Sequence, residues 1–190
     1  MVNEVPDIVQ PYLKRQINYI RQFLRSPKTF GSLVPSSPWL CNRMSELADW
    51  DQVMAIAELG AGDGVLTIRL LERLSSKGIL DAYEIQPDLV NQLQLLAGKD
   101  PRLNVISSSA ERLYRDYDLI FSCLPLLSIS RITCLRILRQ VCKHLTPEGR
   151  FILFQYTPVT EKLLSRYFVW TKVYEFRNFP PAWIYTCTPR

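Results

Sequence analysis

Two acids and three glycines carry the first chemistry that can be read in this chain. Glu58 stands two residues before Gly60, and Gly60, Gly62 and Gly64 follow at alternate positions. Glu84 lies 20 residues beyond Gly64, at the end of the apolar run Ile79-Leu-Asp-Ala-Tyr-Glu84. Glycine reaches positive φ and has no Cβ, so a ligand can come close to the backbone there. A helix that starts at such a turn offers its first N–H groups to an anionic group. An acid at the end of the next strand is where a ribose diol is held in nucleotide-binding α/β folds. The dinucleotide fingerprint Gly-x-Gly-x-x-Gly is not matched, because position 63 is Asp63 and the third glycine is Gly64. The bland alternative is a structural turn with a strand-end acid on the surface.

These residues need elements to position them. The apolar run Val53–Leu59 stops at Gly60, and the amphipathic run Val65–Leu74 follows at once, which reads as strand, tight turn, helix. The alternation continues. Strands are predicted at Leu80–Glu84, Leu103–Ser107, Tyr117–Cys123 and Arg150–Tyr156, with helices at Pro87–Ala97 and Arg131–Leu145. Leu145-Thr-Pro-Glu-Gly149 reads as a helix stop and a turn into the fifth strand. A helix over Thr160–Phe168 and closing strands over Val169–Phe176 and Trp183–Thr188 complete the chain. The order predicts an α/β, Rossmann-like sheet of seven mostly parallel strands with helices on both faces and further helices at the N-terminus. One of these runs from Ser37, a good N-cap followed by Pro38, to about Ala48.

Composition narrows the setting. The chain has 190 residues, enough for one domain with a proper core, and 47% hydrophobic and 22% charged residues. The opening residues lack the basic and apolar regions of a secretion signal. Five scattered cysteines and a single histidine argue against zinc or a disulfide framework and for a reducing compartment. The charge is uneven. Between Ile8 and Ser45 there is no Asp or Glu, yet six basic residues occur: Lys14, Arg15, Arg21, Arg25, Lys28 and Arg43. Such a stretch wants a polyanion, either nucleic acid or an anionic membrane surface. Residues 7–25 carry a helical apolar stripe flanked by these cations, which suits either a helix lying in a membrane interface or one packed on the domain.

Glu-x-Gly-x-Gly-x-Gly from Glu58 to Gly64, followed by a strand-terminal Glu84, resembles the class I S-adenosylmethionine-dependent methyltransferases. The resemblance implies that Gly60 and Gly62 face the methionine and ribose of the cofactor, with Gly64 closing the motif. It implies that Glu58 meets the methionine amino group, directly or through water, and that Glu84 takes the ribose hydroxyls, with Ile85 beside it. After the third strand the family usually reads Gly-Asp-Ala, the Asp bonding adenine; here Ser109 and Ala110 stand in that loop. At the end of the fourth strand, Phe121-Ser-Cys-Leu-Pro-Leu-Leu-Ser128 lies where the family presents the methyl acceptor. Amino-group methyltransferases of nucleic acid resemble Asn-Pro-Pro-Tyr or Asn-Leu-Pro-Tyr there. Here Ser122 or Cys123 replaces the Asn and Leu126 the base-stacking aromatic.

Leu124-Pro125-Leu-Leu is instead similar to the bacterial phospholipid N-methyltransferases, which act on phosphatidylethanolamine. Phe30-Gly-x-x-x-Pro-Ser36-Ser37 resembles their cofactor-covering loop, Asn178-x-Pro-Pro-Ala182 their C-terminal hairpin, and Phe154-x-Tyr156 the end of their fifth strand. That resemblance implies cofactor contacts at Phe30, Ser36, Ser37 and Ser122, an acceptor site at Leu124 and Pro125, and no metal. Tyr156 is the candidate for orienting the amine or relaying its proton, unless it is a strand-end tyrosine bonding locally. Phe30, Tyr156 and Trp183 are aromatics that could hold a methylated ammonium, and Arg177 or Arg21 a lipid phosphate.

The chain is therefore expected to be a single methyltransferase domain, with residues 1–50 as a basic helix and lid and 51–190 as the core. Its expected partners are a phospholipid substrate and an anionic membrane surface, on the inner face of the membrane, with no DNA. Two alternatives stand beside it: an rRNA adenine dimethyltransferase-like enzyme acting on RNA, and an inactive cofactor-binding adaptor.

Overall fold

A computed structural model of the chain describes residues 37–190. The expected basic helix over 7–25, and Phe30 and Ser36 of the cofactor-covering loop, lie outside the described residues. The elements follow in the order α1 (Pro38–Glu46), β1 (Ala55–Leu59), α2 (Val65–Arg73), β2 (Ile79–Glu84), α3 (Pro87–Ala97), β3 (Leu103–Ser107), β4 (Tyr117–Ser122), α4 (Arg131–His144), β5 (Leu145–Gln155), α5 (Glu161–Leu164), β6 (Phe168–Glu175) and β7 (Ala182–Pro189).

The strands form one sheet in the order β3-β2-β1-β4-β5-β7-β6. Strands β1 to β5 pair in parallel, whereas β7 runs antiparallel to β5 and β6 antiparallel to β7. This is the expected seven-stranded, mostly parallel sheet with an antiparallel hairpin at its end. Alternate side chains of β1 explain its layers. Ile56 faces a core built with Leu40 and Met44 of α1, Leu66 and Leu70 of α2 and Leu93 of α3. Ala57 and Leu59 face the opposite core, built with Ile137, Leu138 and Val141 of α4 and Leu164 of α5. A strand buried on both faces reads as a continuous apolar run, which is why Val53–Leu59 shows no alternation.

Helix α1 starts as its sequence predicts. The Ser37 hydroxyl accepts from Leu40 N at 3.2 Å and Pro38 occupies the first turn. The Ser37 N–H in turn donates to Asn178 Oδ1 at 3.3 Å, tying the helix start to the β6–β7 turn.

Two expected elements are corrected. Leu145–Gly149 belongs to β5 rather than to a turn before it: Leu145 pairs with Tyr117, and the ladder resumes at Leu119 and Arg150 after a register shift. The intervening Thr-Pro-Glu-Gly bulges out, because Pro147 has no N–H to give the ladder. The helix predicted over Thr160–Phe168 is one short 3₁₀ turn followed by α5, which stops at Leu164. Phe168 is instead drawn into β6, fully buried against Phe151 at 5.4 Å between ring centroids. Tertiary packing outweighs the local helical pattern there.

Candidate functional site

The three glycines adopt the backbone that the turn demands. Gly60, Gly62 and Gly64 have φ of 76°, 59° and 84°, a region closed to most side-chain-bearing residues. Gly64 has a second duty: a Cβ there would stand 2.7 Å from Leu96 Cδ1 and 3.3 Å from Leu93 Cδ2, so its bareness lets α2 start flush against α3.

The turn is tied down by its own N–H groups. Gly60 N and Ala61 N both donate to Tyr83 O, at 2.9 and 3.1 Å, and Gly64 N donates to Ala61 O at 3.1 Å. Gly62 N donates to Glu84 Oε2 at 3.0 Å. Val65 N, at the helix start, points to Asp63 Oδ1 at 3.4 Å. These donors serve the protein itself, and the acid Asp63 stands at the helix start. A phosphate cradle needs the opposite, free N–H groups and no competing carboxylate. The turn is therefore not arranged as a phosphate cradle, which departs from the helix-start anion site considered from the sequence.

The two carboxylates differ in kind. Glu84 is 4% exposed and held in one pose. Its Oε1 accepts from Ile85 N at 2.8 Å and Gln86 N at 3.0 Å, while Oε2 meets the glycine turn. A carboxylate has about four acceptor sites, so it can still receive a hydroxyl on either oxygen. Glu58 is fully buried beneath the turn. Its Oε2 accepts from Thr67 Oγ1 at 2.6 Å, but Oε1 is buried with no hydrogen-bond partner among the described residues. Burial pushes the Glu58 carboxyl up to about 8; the Thr67 hydrogen bond opposes this, and the charges of Asp63 and Glu84 add to it. A buried acid with one oxygen unanswered is a place where a cation or a hydrogen-bond donor is favoured.

The remaining candidates lie on the loops beyond the strand ends. Ile85, after β2, is 68% exposed and presents an aliphatic face beside Glu84. Ser109 is engaged locally, accepting from Glu111 N at 3.2 Å, and Ala110 next to it is buried. Their loop is held by Tyr114 N on Tyr83 Oη at 3.3 Å and by Leu113 N on Gln140 Oε1 at 3.3 Å. Ser122 is fully buried at the end of β4, its Oγ accepting from Leu124 N at 3.3 Å. Leu126 is buried, so the loop after β4 has an apolar floor. Tyr156 follows the last residue of β5 and stands edge-on to Phe154 at 5.5 Å.

Some expected helpers are already engaged. Arg177 is bound by Glu175, with contacts from Nε and Nη2 at 2.9 Å each, and the face of Trp183 is covered by Lys172 Nζ at 4.3 Å. Two residues that the motifs do not name prove structurally central. Thr67 sits under Glu58. Gln155 Nε2 donates to Leu124 O at 3.0 Å and to Phe154 O at 2.6 Å, fastening the Leu124-Pro125 loop to the end of β5. The legible sign was the one polar residue closing an apolar strand, Phe-Ile-Leu-Phe-Gln155.

No protein-family model matches the chain. It is similar to the ornithine lipid N-methyltransferase of Singulisphaera acidiphila, with 27% identity over 179 residues that cover 89% of this chain and 93% of that protein. Among solved structures it resembles the N-methyltransferase NodS from Bradyrhizobium japonicum in complex with S-adenosyl-L-homocysteine, with a TM-score of 0.68, 11% identity, and coverage of 89% of this chain and 97% of the other. It also resembles TrmN from Thermus thermophilus, with a TM-score of 0.68 and 18% identity over 89% of this chain, although it spans only 53% of that structure.

Proposed function

We propose that this chain, which has the fold of the class I S-adenosylmethionine-dependent methyltransferases, moves the methyl group of S-adenosylmethionine onto the amine of a membrane lipid, phosphatidylethanolamine. The observation that carries the cofactor is the glycine turn held between two buried acids, one fully partnered and one with an unanswered oxygen. Glu58 Oε1 receives the methionine ammonium, Gly60 and Gly62 let methionine and ribose lie against backbone, and Glu84 receives the ribose hydroxyls. Ile85 covers one face of the adenine, with Ser109 and Ala110 along its edge and Ser122 at the floor. Phe30, Ser36 and Ser37 are assigned to the cover of the cofactor, Ser37 being held as the cap of α1.

The bound cofactor supplies an electrophilic methyl group on a sulfonium. The chain must then hold a neutral amine in line and keep water away. That duty is assigned to the Leu124-Pro125 loop: its carbonyls already accept from Gln155 Nε2 at 3.0 Å and from Ser128 N at 2.8 Å, which fixes the loop and leaves each a second lone pair for the amine. A lipid amine is protonated at neutral pH, so Tyr156 orients it and relays its proton outward before attack. The apolar floor at Leu126 favours a lipid over a base that must be stacked. The basic stretch before Ser37 is assigned to the anionic surface, and the chain to a single domain working at the inner face of the membrane, with α1 part of its core.

A second acceptor, the amine of an ornithine lipid, is favoured by the name of the Singulisphaera relative. The test is incubation with methyl-labelled S-adenosylmethionine and one of three acceptors: vesicles containing phosphatidylethanolamine, vesicles containing ornithine lipid, or precursor rRNA. Label in the first lipid supports the proposal, and label only in the second moves the acceptor. Label only in RNA replaces the proposal, and no label despite cofactor binding makes the chain an adaptor.

A further inference from the structure

Five bulky apolar side chains stand in solvent at one end of the sheet. Trp39, Leu127, Val159, Phe176 and Phe179 are between 52% and 72% exposed. Singly, exposed apolar residues need no explanation, but grouped ones do. The topology groups these. Leu127 follows β4 and Val159 follows β5, so both lie beyond the C-terminal ends of parallel strands. Phe176 and Phe179 lie in the β6–β7 turn, and β7 leaves that turn antiparallel to β5, beginning opposite its C-terminal end with Trp183 paired to Gln155. Trp39 opens α1, whose cap residue Ser37 donates to Asn178 between the two phenylalanines. Gln155 fastens the β4 loop to β5 at the same end. The exposed residues therefore form a rim around the end of the sheet where Leu124, Pro125 and Tyr156 lie.

The charges bordering this rim are paired. The segments 37–45, 123–130, 156–160 and 176–181 contain no Asp or Glu, and their two arginines meet acids just outside them, Arg43 with Glu46 at 3.4 Å and Arg177 with Glu175 at 2.9 Å. The chain that enters the rim at Ser37 is the acid-free stretch after Ile8 that carries Lys14, Arg15, Arg21, Arg25 and Lys28. An apolar rim whose bordering arginines are neutralised, joined to a stretch of sequence with five further cations and no acid, complements an anionic bilayer surface, where bulky side chains enter the acyl boundary and cations stay among headgroups.

We infer that this rim, led by Phe176 and Phe179, inserts into the surface of an anionic phospholipid bilayer and seats the mouth of the site on the membrane. The inference rests on the lipid-amine reading above and adds the surface through which the lipid is reached.

The test uses the full chain and vesicles of equal parts phosphatidylglycerol and phosphatidylethanolamine. Phe176→Ser combined with Phe179→Ser is expected to weaken co-sedimentation about tenfold or more, with cofactor affinity unchanged by calorimetry. Equal pelleting of variant and wild type overturns the inference. A polarity-sensitive dye on Phe176→Cys, in a Cys142→Ser background, is expected to shift to the blue only when vesicles are added. A dye already shielded in buffer and unmoved by vesicles means that the chain's own residues 1–36 cover the rim, which also overturns it. The two readings fail separately. Loss of vesicle binding in the double variant without methylation of any lipid upholds the rim and removes the acceptor. Unchanged vesicle binding with undiminished lipid methylation does the reverse.

Discussion

Glu58 shows how one residue can set both stability and binding. Its carboxyl sits at about 8 in the fold against an ordinary 4.5, chiefly because burial disfavours the charge. A group whose folded value is raised contributes stability that is fully present below its unfolded value and is lost as pH rises through the folded one. The unliganded protein should therefore lose stability across the window from 4.5 to about 8 on account of Glu58. Glu58→Gln keeps an acceptor for Thr67 and removes the titration. Its Tm is predicted to fall less than that of the wild type across this window, and parallel Tm–pH curves would contradict the assignment. A cofactor ammonium arriving beside Glu58 favours the carboxylate, so binding near neutral pH should release a proton from the wild type and none from the variant. Calorimetry in buffers of different ionisation enthalpy reads this directly.

Among the elements, the loop after β4 and the end of β5 act together through Gln155. Gln155→Ala removes two short hydrogen bonds and leaves Leu124 O without that donor, at a cost of about 1–3 kcal/mol in stability. It is predicted to lower methyl-transfer kcat/KM about tenfold while leaving cofactor Kd unchanged. An equal loss in both would show that the residue merely supports the fold. This pairing was not legible in the sequence, because residues 124 and 155 meet only through the crossover between β4 and β5. The cofactor turn was legible, since a strand, three alternate glycines and a helix are contiguous and each glycine is needed for its own φ. The inner strands β1, β2 and β4 were legible as well, being buried on both faces. The misread elements were those where distant contacts decide: Leu145 takes its place in β5 by pairing with Tyr117, and Phe168 is claimed by Phe151. Ser109 stands where the family carries Asp, and its hydroxyl is turned to Glu111, which no local pattern reveals.

On the scale of the whole molecule, the strand order reverses between β1 and β4, with β2 and β3 on one side and β5, β7 and β6 on the other. Ligands of open α/β sheets bind in the crevice at such a switch point, outside the C-terminal ends of the strands. Gly60 begins the turn beyond β1 at that crevice, Glu84 closes β2 beside it, and Leu124 follows β4 across from it. The apolar rim crowns the same end, so cofactor and lipid would approach from one side of the sheet. The cofactor is proposed to lie over Gly60. A valine at φ 76° is strained by roughly 1–3 kcal/mol and puts a branched side chain where the methionine would lie. The deciding measurement is a calorimetric titration of S-adenosylmethionine into the wild type and into Gly60→Val, each shown to be folded by circular dichroism. Saturable binding by the wild type and none by the variant is the predicted result, and equal affinity in the two would contradict the account.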